Sequence, residues 1–188
     1  MPRPLFRRLA ACLGALAIHS ATADTVPAVE TASAFDGAIA SLKRTWNEGT
    51  PEIYVPLYTW HLPWAYTREQ INDYHNTPLG LGLGRGRYTE DGDWHGFYAM
   101  GFQDSHGKPE YQAGYAYKTF WPVAGDLKAG LGYTVFVGAR ADYHDYLPFP
   151  AILPIVSLEY SKVALDAAYV PGGKGNGNVL FFWTKVHL

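Results

Sequence analysis

From residue 79 onward, large apolar side chains alternate with glycine, alanine or threonine at a period of two. Leu79, Leu81 and Leu83 alternate with Gly80, Gly82 and Gly84. Ala129, Leu131, Tyr133, Val135 and Val137 alternate with Gly130, Gly132, Thr134, Phe136 and Gly138. Tyr111, Ala113, Tyr115 and Tyr117 alternate with Gln112, Gly114 and Ala116. Successive side chains of a strand point to opposite faces, so this period argues for strands. A soluble antiparallel sheet sets large apolar residues against charged ones. Here neither face is charged. One face is expected to meet lipid, and the other to line a narrow space kept open by small residues. Almost no charges fall in the middle of these segments, which argues against the polar lumen of a porin.

Eight such segments can be read, at about 52–61, 79–88, 94–104, 111–121, 127–139, 149–159, 162–170 and 178–187. An even number of strands of ~10 residues suits tilted strands crossing a bilayer. The connections after the second, fourth and sixth segments are short; the others are longer or more polar. Outer-membrane barrels pair short periplasmic turns with longer outer loops. The fold class is therefore all-β: an eight-stranded antiparallel transmembrane β-barrel. Before it, Phe35, Ala38, Ile39, Leu42 and Trp46 fall on one helical face, predicting an amphipathic helix over about 34–47 at the periplasmic interface. A helix plugging the barrel end is the alternative.

Arg3, Arg7 and Arg8 precede an apolar run from Leu9 to Ile18 and the small-x-small pattern Ala21-Thr22-Ala23. Residues 1–23 read as a signal peptide, followed by a single barrel domain over 24–188. The only cysteine, Cys12, lies in the signal, so the mature chain has no disulfide available to it. The signal carries three of the 15 basic residues and none of the 17 acidic ones, leaving a mature net charge of −5. That balance, without a clustered basic face, excludes nucleic acid as an expected partner.

With the N-terminus on the periplasmic side, the first and third strands end on the outer rim. His61, Asp104 and Ser105 sit there. From the residues alone, the polar edge of loops is the better reading of these three. Pro56, Pro150 and Pro154 lie inside apparent strands, where each removes a ladder donor.

Tyr58-Thr59-Trp60-His61, Trp94-His95-Gly96-Phe97-Tyr98-Ala99-Met100, Asp104-Ser105, Leu147-Pro148-Phe149-Pro150-Ala151-Ile152-Leu153-Pro154 and Tyr169-Val170-Pro171-Gly172 resemble the lipid A palmitoyltransferase (PagP) family. The resemblance runs in order from about Phe35 to the C-terminus. It implies an outer-membrane acyltransferase that moves a palmitoyl chain from a glycerophospholipid to lipid A. It carries the family's functional histidine, aspartate and serine onto His61, Asp104 and Ser105. Histidine suits the removal of a proton from an attacking oxygen. Ser105 would be a covalent nucleophile or an oxyanion donor, and Asp104 would orient His61. Adjacent strand residues face opposite ways, so Asp104 and Ser105 can share one site only in a loop conformation.

The resemblance also reads Pro56 with Pro78, and Pro154 with Pro171, as two lateral gates for lipid. It puts Ala116 where palmitoyl-selective members have the glycine that floors the acyl pocket. An extra methyl there costs about 1–3 kcal/mol if overpacked, against about 0.8 kcal/mol for each buried methylene of substrate. A chain equal to or slightly shorter than palmitoyl is expected. No cofactor is implied, and the histidines at 61, 75, 95, 106, 144 and 187 show no paired metal-ligand spacing. The expected assembly is a monomer or weak homodimer, with its active rim toward the cell exterior. A non-catalytic lipid-binding barrel and a phospholipid esterase using the same rim are the rival readings.

Overall fold

A computed structural model of the protein describes residues 28–188; the expected signal peptide lies outside these. A helix, α1 (Ala28–Glu48), precedes eight strands: β1 (Thr50–His61), β2 (Gly80–Tyr88), β3 (Trp94–Gln103), β4 (Pro109–Ala124), β5 (Leu127–Arg140), β6 (Phe149–Tyr160), β7 (Val163–Val170) and β8 (Val179–His187). A short helix, α2 (Arg68–Asp73), lies in the β1–β2 connection. Each strand pairs antiparallel with the next, and β1 pairs with β8, so the sheet closes as a barrel. Closure gives every strand a partner on both sides over at least part of its length, as a strand-built membrane span requires.

The outer wall is apolar. Leu83 is 63% exposed, Val137 52% and Ile152 60%. Large exposed apolar patches are unusual on monomeric soluble proteins; an apolar wall around a closed barrel is a surface for lipid. No helix among the described residues is long and apolar enough to cross a membrane. α1 lies against the outside of the barrel. Trp46 meets the outward-facing Phe97 edge-on at 5.9 Å, and Arg85 Nε donates to the Gly49 carbonyl at 3.0 Å. Thr45 is fully buried against the wall, whereas Trp46 stays 61% exposed. The helix thus packs on the outer wall with Ile39 and Trp46 left exposed, and it starts earlier than the sequence pattern predicts.

The interior differs from the expected open space lined by small residues. The inward glycines give room to large neighbours. A Cβ on Gly86 would lie 2.2 Å from Glu52 Oε1 and 2.4 Å from Trp94 Nε1, and one on Gly96 would lie 2.2 Å from the Trp94 ring. The expectation of almost no mid-strand charge also fails. Lys118 and Lys185 sit inside the barrel among Glu52, Glu159 and Asp166, all almost fully buried. Lys118 Nζ lies 2.6 Å from Asp166 Oδ1, and Lys185 Nζ lies 3.5 Å from Glu52 and 3.8 Å from Glu159. Trp94 Nε1 and Tyr54 Oη donate to Glu52 at 2.9 and 2.6 Å, and Tyr88 donates to Glu159. Both ammonium groups also lie over the Trp94 ring, at 4.5 and 4.0 Å. Each carboxylate and ammonium has an opposite charge beside it, the condition for tolerating buried charge. The half of the barrel next to α1 is therefore plugged by an ionic layer.

Two seams open on the other half. The β1–β2 ladder stops at Tyr54–Gly82, although β1 continues to His61. The β6–β7 ladder starts only at Ile155–Ala168, although β6 begins at Phe149 and β7 runs to Val170. Pro56 and Pro78 flank the first opening, and Pro154 and Pro171 the second. β1 also shifts register against β8 between Pro56 and Tyr58. Each of these prolines lacks the N–H with which a residue would donate to a ladder there.

Candidate active site

A cavity of about 290 Å³ runs down the barrel from the loop end. Its shaft is apolar, with Met100, Phe102, Phe136, Leu153, Phe181 and Trp183 among its walls, and it ends on Trp94, Lys118 and Asp166. Ala116 lines it while buried at 3% exposure. This residue pairs with Gly96 on β3 and Thr134 on β5, one inward position above Lys118. At the mouth the lining turns polar, with His61, Asp104, Ser105, Glu110 and Arg140. Arg140 is held by Asp142 at 2.5 Å and Glu110 at 3.9 Å. An apolar shaft under a polar rim is complementary to an amphiphile lying tail-down.

His61 ends β1 and is buried. Ser105 follows β3 in the turn at 104–108, outside the strand, which releases it from the alternation that would send it away from Asp104. Its Oγ lies 3.0 Å from His61 Nε2. The other ring nitrogen, Nδ1, lies 2.9 Å from Oδ1 of Asn76, a residue of the β1–β2 connection. Tyr74 stacks obliquely on the imidazole at 4.5 Å and Tyr66 meets it edge-on at 5.0 Å. Burial pushes the Tyr66 hydroxyl above its usual range, so it stays a neutral donor to the Gly177 carbonyl.

Asp104 shares the cavity with Ser105, but its carboxylate hydrogen-bonds its own turn rather than His61. Its Oδ1 accepts the backbone N–H of His106 at 2.9 Å and of Lys108 at 2.7 Å. Its Oδ2 lies 3.9 Å from His106 Nδ1. The carboxylate braces the turn that presents Ser105, and Gly107 takes a φ of +73° to complete it. The structure thus brings His61 and Ser105 together and gives the position expected for Asp104 to Asn76. No sequence pattern singles out Asn76, because it lies in an aperiodic connection.

The family model described as "Antimicrobial peptide resistance and lipid A acylation protein PagP" matches residues 41–185. Among similar proteins, the lipid A acyltransferase PagP of Laribacter hongkongensis is 52% identical over 148 residues, covering 79% of this chain and 71% of that protein. That of Methylobacillus flagellatus is 42% identical over 151 residues, covering 80% and 82%. The protein of the same name from Legionella pneumophila is 40% identical over 186 residues, covering 97% of this chain and all of that one. A match that begins within α1, passes through every strand and reaches β8 leaves one assignment: the chain belongs to the PagP family of lipid A acylation proteins.

Proposed function

We propose that this barrel is an outer-membrane acyltransferase that moves a palmitoyl or slightly shorter chain from a glycerophospholipid to lipid A. The observation that carries the reading is the Ser105 Oγ–His61 Nε2 hydrogen bond at the mouth of an apolar shaft. A hydroxyl within reach of an imidazole base, itself held by a third group, is the arrangement of an activated nucleophile. The donor lies with its acyl tail in the shaft and its ester at the rim, which faces the cell exterior. As the Ser105 oxygen attacks the ester carbonyl, its proton passes to His61 Nε2. The tetrahedral oxyanion collapses, the bond to the glycerol oxygen breaks, and that oxygen leaves with the proton from Nε2. A lipid A hydroxyl then gives its proton to Nε2 and attacks the acyl-serine, and Ser105 departs with the proton. Asp104 acts by bracing the turn at Ser105.

Ala116 and the ionic layer beneath it support a fixed limit on chain length, since a methyl terminus gains nothing by entering a paired-charge layer. The openings beside Pro56 and Pro78, and beside Pro154 and Pro171, serve as the sideways entries for lipid. One chain supplies every group at the rim, which favours a working monomer. The test is transfer of acyl chains between defined lipids by the barrel in micelles. Ser105→Ala and His61→Ala are each expected to lower the rate at least about 10³-fold while the barrel folds and inserts as before. Full activity in either variant contradicts the proposed chemistry.

A further inference from the structure

We infer that Asn76 is the positioning residue of the catalytic hydrogen-bond chain, fixing the His61 ring in the tautomer that leaves Nε2 basic toward Ser105. The inference rests on the reading of His61 and Ser105 as the acyl-transfer pair. An amide oxygen carries no proton, so the 2.9 Å contact between Asn76 Oδ1 and His61 Nδ1 requires the hydrogen to be on Nδ1. A neutral imidazole has one N–H. Nε2 is then bare, and the 3.0 Å contact to Ser105 Oγ is a hydroxyl donating to it. The opposite tautomer would turn Nε2–H toward the serine oxygen and remove the base from the nucleophile.

The main chain around Asn76 ties the two reacting elements together. Its carbonyl accepts the N–H of Thr59, two residues before His61 on β1, at 2.8 Å. The preceding residue, His75, donates its N–H to the Ser105 carbonyl at 2.9 Å. Adjacent residues of the β1–β2 connection thus grip β1 and the Ser105 turn at once. Asp104 does not replace this role, because its Oδ1 is taken by two backbone amides and its Oδ2 faces His106. Tyr66 and Tyr74 wall the ring, and His106 packs on Tyr74 at 5.2 Å. Among the described residues, Asn76 is thus the group hydrogen-bonded to Nδ1. A neutral amide directs the ring without adding a charge, a solution also used by Cys-His-Asn sites on unrelated folds.

The experiment uses the full barrel in micelles with a defined phospholipid and lipid A, comparing Asn76→Ala, Asn76→Asp, Ser105→Ala and His61→Ala. Asn76→Ala is expected to lower kcat at least about 10-fold with donor KM within about 2-fold, short of the ~10⁴-fold loss when a charged orienting group is neutralised. Asn76→Asp, which keeps an acceptor oxygen, is expected to recover most of that loss. Nitrogen-15 NMR of histidine-labelled protein, with His61 assigned by its absence in His61→Ala, is expected to show the Nδ1–H tautomer in the wild type and its loss in Asn76→Ala. An Nε2–H tautomer in the wild type overturns the inference. So does unchanged kcat in Asn76→Ala while Ser105→Ala is inactive. If Ser105→Ala remains active, the underlying acyl-transfer reading fails, and this inference with it. If Asn76→Ala does not fold, the wild-type tautomer and the activity of Asn76→Asp still decide.

Discussion

Asp104 and Ser105 are neighbours in sequence, yet the structure separates their tasks. Ser105 reaches His61, while Asp104 turns back on its own loop and accepts two backbone amides. A carboxylate that braces a turn through hydrogen bonds needs an acceptor oxygen more than it needs its charge. Asp104→Asn is therefore expected to keep a larger share of activity than Asp104→Ala, whose turn loses both side-chain bonds. Steady-state rates of the two variants check this; equal and near-complete losses would return the charge of Asp104 to the chemistry. The sequence makes the rim position of His61 and Ser105 legible, because one closes and the other follows a strand whose alternation fixes where it ends. It does not make Asn76 legible, since a side chain in an irregular connection is placed by tertiary contacts alone. The resemblance carries an aspartate role that the loop geometry does not support.

Among the elements, the strands are legible to within three residues at each end, since alternation survives wherever one face meets lipid and the other meets the interior. What each inward face touches was not readable. Lys118 on β4, Asp166 on β7 and Lys185 on β8 lie far apart in the chain, and only closure of the sheet makes them an ionic layer. The inward glycines likewise look like a space left open until Trp94 is seen occupying it. Lys118 lies 2.6 Å from Asp166 with each side chain 1% exposed, so removing one partner strands a buried charge. Lys118→Met is expected to destabilise the barrel by about 3–5 kcal/mol, whereas Lys118→Met with Asp166→Leu is expected to cost less. Denaturant unfolding of the reconstituted barrel measures both. A double variant less stable than the single one would contradict the pairing.

The whole molecule combines a closed span with two partial openings on one half. Continuing the β1–β2 register beyond Tyr54–Gly82 sets Val55 opposite Leu81, and continuing β6–β7 beyond Ile155–Ala168 sets Pro154 opposite Tyr169. Cysteine pairs at Val55 with Leu81, and at Pro154 with Tyr169, are expected to slow transfer when oxidised and to restore it when reduced. A control pair at Val135 and Ile152, already joined in the β5–β6 ladder, is expected to leave the rate unchanged. Undiminished transfer with both openings bridged would remove their role as entries. The defining act of the whole molecule is what it does to its membrane. Mass spectrometry of lipid A, from a host that lacks such an enzyme, with and without this protein, tests that most directly. The expected result is a new lipid A species heavier by one fatty-acyl group, equal to or slightly shorter than palmitoyl. Unchanged lipid A, with the barrel folded in the outer membrane and phospholipid present in the outer leaflet, would contradict it.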